Sequence, residues 1–240
     1  MKPIHRHVTK FWSEERSLTA FLVLLIVEIF FLAPLQITGL VFRLINSMVF
    51  TLLLLVGLLT MTRQMVLQAV LSMFVALAVA THSARLVFGM TGLEFLDGLL
   101  LLLCAIGFLV VVLWQVYREG PVTGHRVMGA VAGYLLLPLV FAIAYSMVEF
   151  LSPGSYQMPA VGSQYGEQKA RVFYYFSVTT LTTAGFGDIT AVNPIARTLV
   201  MMEALIGQLY PAILIARLVS LHAETKKHGK QTRTPSDNDK

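Results

Sequence analysis

Residues 171–194 read RVFYYFSVTTLTTAGFGDITAVNP, and this stretch decides the fold of the chain. Its centre, TTAGFGD over 182–188, places Gly185 and Gly187 at alternating positions. Glycine adopts positive φ without a steric penalty, so alternating glycines allow a short strand to turn its carbonyl oxygens toward one side. A row of carbonyl oxygens can replace the hydration shell of a cation. A Gly-x-Gly-Asp sequence also forms simple turns in soluble loops, so the motif needs support from its surroundings.

The surroundings of the motif favour a membrane protein. An aromatic run, Phe173-Tyr174-Tyr175-Phe176, precedes the threonine pair, and apolar segments of membrane length flank the motif on both sides. Irregular backbone at membrane depth is tolerated only where protein or a water-filled path surrounds it. The motif is therefore predicted to lie against protein or a water-filled path, and not against lipid.

The composition of the chain points to the same class of protein. Of its 240 residues, 56% are hydrophobic and 13% are charged, which is typical of an integral membrane protein. A helix needs about 20 apolar residues to cross a bilayer. The stretches that meet this length are 18–35, 39–61, 64–84, 95–117, 127–150 and 195–221. The single Cys104 lies in the fourth of them and is predicted to be a packing residue, because it has no intrachain disulfide partner.

The distribution of basic residues predicts the orientation of the chain in the membrane. The net charge is +5, and Lys and Arg cluster before the first apolar stretch, around 118–126 and after the last stretch. Basic residues accumulate on the cytoplasmic side of membrane proteins. With six spans, both termini are predicted to be cytoplasmic in a plasma (inner) membrane, with Asp188 on the outer side. Because the basic residues set the orientation in the membrane, the positive charge does not indicate nucleic-acid binding. We therefore expect membrane lipids and no nucleic acid as partners.

The TTAGFGD motif resembles the selectivity filter of potassium channels, whose pattern is Thr-Val-Gly-Tyr-Gly-Asp. The resemblance implies an all-α integral membrane fold, with six transmembrane helices per subunit, a re-entrant pore helix and a selectivity filter. One chain supplies one filter strand, so a homotetramer around a central pore is expected. Potassium ions would bind backbone oxygens, with the Thr183 hydroxyl at the inner end and Asp188 at the filter mouth. The implied ion-coordinating residues are Thr183, Ala184, Gly185, Phe186 and Gly187.

Three positions depart from the usual pattern of these channels. Ala184 replaces Val, and Phe186 replaces Tyr and loses the hydroxyl that would bond to the surrounding aromatic residues. Thr179 stands where some members carry a Glu that pairs with the acid after the filter. These changes predict a more weakly braced filter, although the coordinating backbone atoms are unchanged. The residues expected to support the filter from the pore helix are Tyr175, Phe176, Thr179, Thr180 and Thr182.

The chain divides at a polar turn, REGPVTG over 118–124. The predicted parts are a cytoplasmic leader over 1–17, a four-helix membrane domain over 18–117, a linker over 118–124, a pore domain over 125–221 and a disordered cytoplasmic tail over 222–240. The pore domain is predicted to contain an outer helix over 127–150, a turret loop over 151–169, a pore helix over 171–182, the filter over 183–188 and an inner helix over 195–221.

The predicted inner helix contains a weak turn. Pro211 has no N–H group, so the carbonyl of Gly207 loses its helical hydrogen-bond partner. We interpret this Gly-Pro pair either as a gating hinge or as a static kink that shapes the cavity of the pore.

Two acids are predicted at membrane depth, where such groups are usually paired or functional. Glu203 is expected behind the filter, bonded to a pore-helix hydroxyl such as that of Thr179 or Thr180; the alternative is a charge that faces the cavity. Glu28 is expected to be a protonated or hydrogen-bonded acid. Its candidate partners are His82 and Arg85.

A voltage sensor needs basic residues at every third position of a membrane helix, because the field acts on charges that move through it. The stretch over 95–117 has no Lys or Arg. We therefore expect a potassium channel that is insensitive to voltage or rectifies weakly. The alternatives are a poorly selective cation channel and a nonconducting regulatory or assembly subunit that keeps the pore fold. No enzymatic activity and no cofactor are expected, since the acids and histidines have no recognisable metal or nucleophile spacing.

Overall fold

The computed structural model describes residues 19, 21–32, 48–49, 51–57, 65–88, 91–117, 124–158 and 165–231, and this part of the chain is mostly helical. Helical segments at 21–32 and 51–57 come first, with π-helical turns over Val27–Leu32. A short 3-10 turn, Thr91–Leu93, precedes the second long helix. The long helices are α1 (Met65–Phe88), α2 (Glu94–Tyr117), α3 (Gly124–Leu151), α4 (Tyr165–Leu181) and α5 (Pro194–Gln231).

Three helices of the described part are long and apolar enough to cross a membrane: Glu94–Tyr117, Arg126–Leu151 and Pro194–Arg217. Two shorter apolar helices cover Phe21–Phe31 and Ala69–Ala84. The expectation of an integral membrane protein built from helices is therefore confirmed. The number of six spans stays a prediction, because much of the first two apolar stretches lies outside the described residues.

Two helix boundaries differ from the predicted ones. The pore helix α4 begins at Tyr165, before the predicted start at 171. The inner helix α5 continues to Gln231, so the prediction of disorder is wrong for 222–231. This segment, HAETKKHGKQ, is rich in helix-favouring residues, and it extends a helix whose nucleation cost has already been met by the apolar part. The predicted leader and residues 232–240 lie outside the described part of the chain.

The core of the first half forms around one face of α2. Leu100, Cys104 and Phe108 recur at helical spacing on this face and are buried. The ring of Phe108 meets the ring of Phe21 edge to face, with the centroids 6.2 Å apart. Cys104 is a free, buried thiol within this core, in agreement with its predicted packing role.

A short hairpin-like pairing connects the segment after α3 with the segment after the filter. Strand β1 (Tyr156–Gln157) pairs antiparallel with β2 (Thr190–Ala191), and Tyr156 lies opposite Ala191. Beyond the strands, the backbone N–H of Val192 donates to the carbonyl of Ser155 over 2.9 Å. This pairing fixes both ends of the pore-helix and filter segment relative to α3.

The start of α5 follows from two adjacent residues, Asn193 and Pro194. The side-chain Oδ1 of Asn193 accepts the N–H of Ile195 at 2.8 Å and thereby caps the helix. Pro194 is the first helical residue, where its missing N–H costs no hydrogen bond. The Nε of Arg197 donates to the carbonyl of Ala191 over 3.1 Å, which anchors this turn to β2.

The second half of α5 contacts α3 and the end of α2. The hydroxyl of Tyr210 donates to the carbonyl of Ala130 on α3 over 2.7 Å. The guanidinium of Arg217 donates to the carbonyl of Tyr117, the last residue of α2, and lies 4.9 Å from the centroid of the Tyr117 ring. A cation at the end of a helix meets the partial negative charge of its last carbonyls.

Candidate functional site

The backbone of the motif alternates in conformation. Thr183, Gly185 and Gly187 have φ values of 57°, 51° and 78°. A Cβ on Gly185 or Gly187 would meet no atom within 4 Å in the described chain, so the backbone conformation itself favours glycine there. The sequence argument anticipated the special backbone of the two glycines but not that of Thr183. A positive φ is uncommon for a β-branched residue and is a form of strain that tends to occur at functional sites.

The end of the pore helix is joined to the motif by backbone hydrogen bonds. The N–H groups of Ala184 and Gly185 donate to the carbonyl of Thr179, over 2.9 and 3.2 Å. The N–H of Thr183 donates to the carbonyl of Thr180 over 2.9 Å. Carbonyls at a helix end have no partner within the helix, so the motif segment satisfies two of them here. The start of the motif is thus held directly by α4.

The side chains of the pore-helix threonines bond to α4 itself. The hydroxyls of Thr179 and Thr180 both donate to the carbonyl of Phe176, over 2.9 and 2.8 Å, and both residues are buried. The hydroxyl of Thr182 donates to the carbonyl of Val178 over 2.7 Å. These threonines therefore fix the end of the helix that carries the motif.

The motif presents an exposed face in the single chain. Residues 182–188, which we call the filter front, are all exposed, and 70% of the Phe186 side chain is accessible. The neighbouring helix α5 continues this surface with exposed apolar side chains, among them Met201, Leu205 and Leu209. Exposed peptide groups of irregular backbone cannot face lipid, so the filter front needs cover by protein or water.

The outer end of the motif is braced by an aromatic residue. The carboxyl of Asp188 interacts electrostatically with the hydroxyl of Tyr175. The rings of Tyr175 and Phe186 are stacked, with the centroids 6.4 Å apart and the planes at 17°. Phe176 lies instead in a buried aromatic cluster with Tyr145 of α3, at a centroid distance of 5.3 Å. Tyr175, one of the residues expected to support the filter, thus contacts it through the Phe186 ring, whereas Phe176 packs against α3.

Behind the motif lies the carboxyl group of Glu203, which is fully buried. The hydroxyl of Ser177 on α4 donates to its Oε1, and the hydroxyl of Tyr145 on α3 donates to its Oε2. The predicted location behind the filter agrees with this burial. The predicted partners, Thr179 and Thr180, are wrong, because their hydroxyls are already used by a carbonyl of their own helix.

Gly207 brings α5 against the end of α4. A Cβ at this position would lie 1.9 Å from the carbonyl oxygen of Leu181, far inside contact distance. The helix continues through Pro211. Gly207 therefore has a packing role that the sequence argument missed, and the hinge remains a prediction. The adjacent Gln208, also missed, places its Nε2 at 3.4 Å from the Thr183 hydroxyl.

Of the two candidate partners of Glu28, the structure describes the side chain of His82 only. His82 faces Asp97 instead, with 3.4 Å between Nδ1 and Oδ2, and the Thr81 hydroxyl donates to Oδ1 of the same acid. Among the described residues, the Oε2 of Glu28 is buried without a hydrogen-bond partner, and Arg171 interacts with this acid electrostatically. The side chain of Arg85 lies outside the described part.

Comparisons with known proteins find similarity to ion channels in the second half of the chain. Residues 133–224, which include most of α3, all of α4, the motif and much of α5, match a family model described as an ion channel. A segment of 84 residues is 33% identical to the inward rectifier potassium channel Kirbac3.1 of Paramagnetospirillum magnetotacticum. These two matches support a relationship between the second half of the chain and the potassium channel superfamily.

The similarity to this potassium channel relative is partial. It covers 33% of the present chain and 24% of the relative, so the match spans about a quarter of the relative's length. No solved structure matches the chain. These matches point to a channel protein without enzymatic activity, for which no organic cofactor is expected.

Proposed function

We propose that this chain forms a potassium-selective channel through which potassium ions cross a membrane passively. The observation that carries the proposal is the alternating backbone over Thr183, Gly185 and Gly187 on an exposed face of the chain. Such a backbone can direct successive carbonyl oxygens to one side, where they replace the water around an ion. The permeant ion is inferred from the TTAGFGD motif and from the name of the relative, a potassium channel.

The proposed ion sites use atoms of the main chain. The coordinating residues are Thr183, Ala184, Gly185, Phe186 and Gly187. The Thr183 hydroxyl completes the inner end, where Gln208 contacts it, and Asp188 lies at the mouth, where it interacts electrostatically with Tyr175. Because the ligands are backbone oxygens, the replacement of Val by Ala at 184 and of Tyr by Phe at 186 leaves them intact.

The working unit is a homotetramer. One chain supplies one row of oxygens, and a dehydrated ion needs rings of them around an axis. Four copies around the filter front would cover the exposed irregular backbone, and they would also cover apolar side chains of α5 such as Met201 and Leu205. Assembly would therefore keep the exposed polar backbone of each chain away from lipid.

The channel is expected to be insensitive to voltage and to lie in the plasma (inner) membrane with both termini in the cytoplasm. Helix α2, which occupies the place of a sensor helix, contains Glu94 and Asp97 but no basic residue. The field across a membrane can do work only on charges that move through it. The orientation rests on the basic residues beside the predicted cytoplasmic ends of the spans.

Ion flux from liposomes that contain only this chain tests the proposal. We expect potassium efflux far faster than sodium efflux from matched vesicles. The variant Gly185→Ala should assemble yet carry no potassium, because alanine resists the φ of 51° that this position adopts. Equal potassium and sodium flux would favour the poorly selective channel. No flux from a correctly assembled wild-type protein would favour the nonconducting subunit.

A further inference from the structure

Glu203 has a position that passive conduction does not require. It lies on α5, its side chain is completely buried, and each of its two carboxyl oxygens accepts a hydroxyl group. One hydroxyl belongs to Tyr145 of α3 and the other to Ser177 of α4. Three helices that are far apart in the sequence therefore meet at one carboxyl group.

The burial of this group indicates a role beyond filling space. Burying an acid costs free energy that an apolar residue of the same size would not cost, and hydrogen bonds to both oxygens offset this cost. The surroundings are otherwise aromatic: the Tyr145 ring contacts those of Tyr156 at 5.5 Å and Phe176 at 5.3 Å. An acid in such surroundings is strongly tied to the two hydroxyl donors that satisfy it.

The contacts of Glu203 lead directly to the filter backbone. Ser177 is on the same helix as Thr179 and Thr180, whose carbonyls accept the first N–H groups of the motif. One turn after Glu203 on α5, Gly207 touches the carbonyl oxygen of Leu181, the last residue of the pore helix. Two successive turns of α5 are thus docked on α4, one through hydrogen bonds at its middle and one through packing at its end.

We propose that Glu203 is a positioning residue of the pore: its carboxyl group fastens α3, α4 and α5 together behind the filter and keeps the filter in its conducting shape. The proposal rests on the channel function proposed above. It follows that a bend of α5 that leaves the pore helix in place has to lie beyond Gly207, toward Pro211. A displacement of the earlier turns would have to move the pore helix as well.

The test compares potassium currents of purified channels in planar bilayers at high and low external potassium. External potassium occupies the filter and favours its conducting shape by mass action, so low external potassium exposes a loss of support. Glu203→Leu removes both acceptors, whereas Glu203→Gln keeps the shape and one acceptor. Tyr145→Phe and Ser177→Ala each remove one donor with little change in volume. Ser146→Ala is the matched control, because its hydroxyl donates to Ala142 on its own helix.

We expect Glu203→Leu to lose potassium current about ten to a hundred times faster than wild type at low external potassium, since a hydrogen bond to an acid contributes roughly this factor to an equilibrium. Ser146→Ala should stay within about twofold of wild type, whereas Glu203→Gln, Tyr145→Phe and Ser177→Ala, which each affect one of the two hydrogen bonds, should lie between Ser146→Ala and Glu203→Leu. Adding Ser177→Ala to Glu203→Leu should have little further effect, because the acceptor is already gone. High external potassium should restore the current in each variant.

Two outcomes would overturn the role of Glu203. One is a rate of current loss in Tyr145→Phe and Ser177→Ala equal to that of Ser146→Ala. The other is a lower yield of tetramer in Glu203→Leu with wild-type current stability in the tetramers that form, which would mean a role in folding only. Absence of potassium current in the wild-type protein would instead overturn the channel function itself, and the positioning role with it.

Discussion

The side of the filter that packs against α3 and α5, its back, differs from the exposed filter front in how far a single chain covers its polar groups. At the back, Ser177, Thr179 and Glu203 are buried, and their polar groups are satisfied by residues of the same chain. At the front, residues 182–188 are exposed, and their special backbone faces outward. One chain therefore satisfies the polar groups at the back of the filter, whereas the front is the surface that the proposed tetramer would complete.

This difference separates two kinds of substitution. A change at the back disturbs contacts inside the chain, so it should act on folding, assembly or the persistence of current. A change at the front leaves those contacts in place and should alter the conduction and selectivity of ions. The predictions below use matched variants to test whether the separation holds.

The largest effect is expected from Gly207→Ala at the back. The new Cβ would lie 1.9 Å from the Leu181 carbonyl oxygen, and because this is a backbone atom, a helix has to shift to relieve the clash. Overpacking of this kind costs about 3 kcal/mol or more, so the tetramer should melt at a clearly lower temperature and assemble poorly. Gly98→Ala is the control, because its Cβ would lie at an ordinary 3.5 Å from the flexible Met147. Equal melting temperatures of the two variants would refute the close contact.

A smaller effect is expected from Pro211→Ala, which lies beyond the docked turns of α5. Alanine supplies the N–H that the Gly207 carbonyl lacks and stiffens this turn. Open probability in single-channel records should change a few-fold, while the ratio of potassium to sodium permeability should not. Pro138→Ala in the interior of α3 provides a matched control for removing a helical proline. A change of selectivity in Pro211→Ala would show that the bend is coupled to the filter.

The smallest effect is expected when the membrane voltage is changed. The conductance should depend little on voltage, because the first half of the chain lacks the charges of a voltage sensor. One charge gains about 2.3 kcal/mol per 100 mV, so steep gating requires several charges to move. Because α2 has no basic residue, the effective gating charge should stay below about one elementary charge. A conductance–voltage curve that requires several elementary charges would contradict the assignment of α2 as a helix without sensing charge.

The sequence predicted the front of the filter better than the back. The glycine spacing depends on local backbone geometry, so Gly185 and Gly187 could be identified from the motif alone. The depth of Glu203 followed from its place within an apolar stretch. Its partners did not, because they depend on how α3, α4 and α5 are rotated about their axes. A rotation that directs Ser177 and Tyr145 toward one carboxyl group leaves no local pattern in the sequence.

Other differences have similar physical reasons. The sequence favoured a hinge at Gly207 because Pro211 follows one turn later, whereas the close approach to Leu181 is a contact between distant residues. The positive φ of Thr183 was not foreseen, because threonine rarely adopts it and the hydrogen bonds to α4 impose it here. His82 was one of two candidate partners of Glu28, but it lies against Asp97 on the neighbouring α2.

Mixed assembly of wild-type and Gly185→Ala chains tests most directly whether the filter front is completed by four copies. Because the variant changes only the front, it should enter tetramers as readily as wild type. With equal amounts of both chains, only about one tetramer in sixteen contains four wild-type chains. Potassium flux should fall to about this fraction of the wild-type flux, since one variant chain is enough to block conduction through a tetramer. A residual flux of about one half, in proportion to the wild-type chains, would contradict the account, because it would mean that each chain conducts on its own.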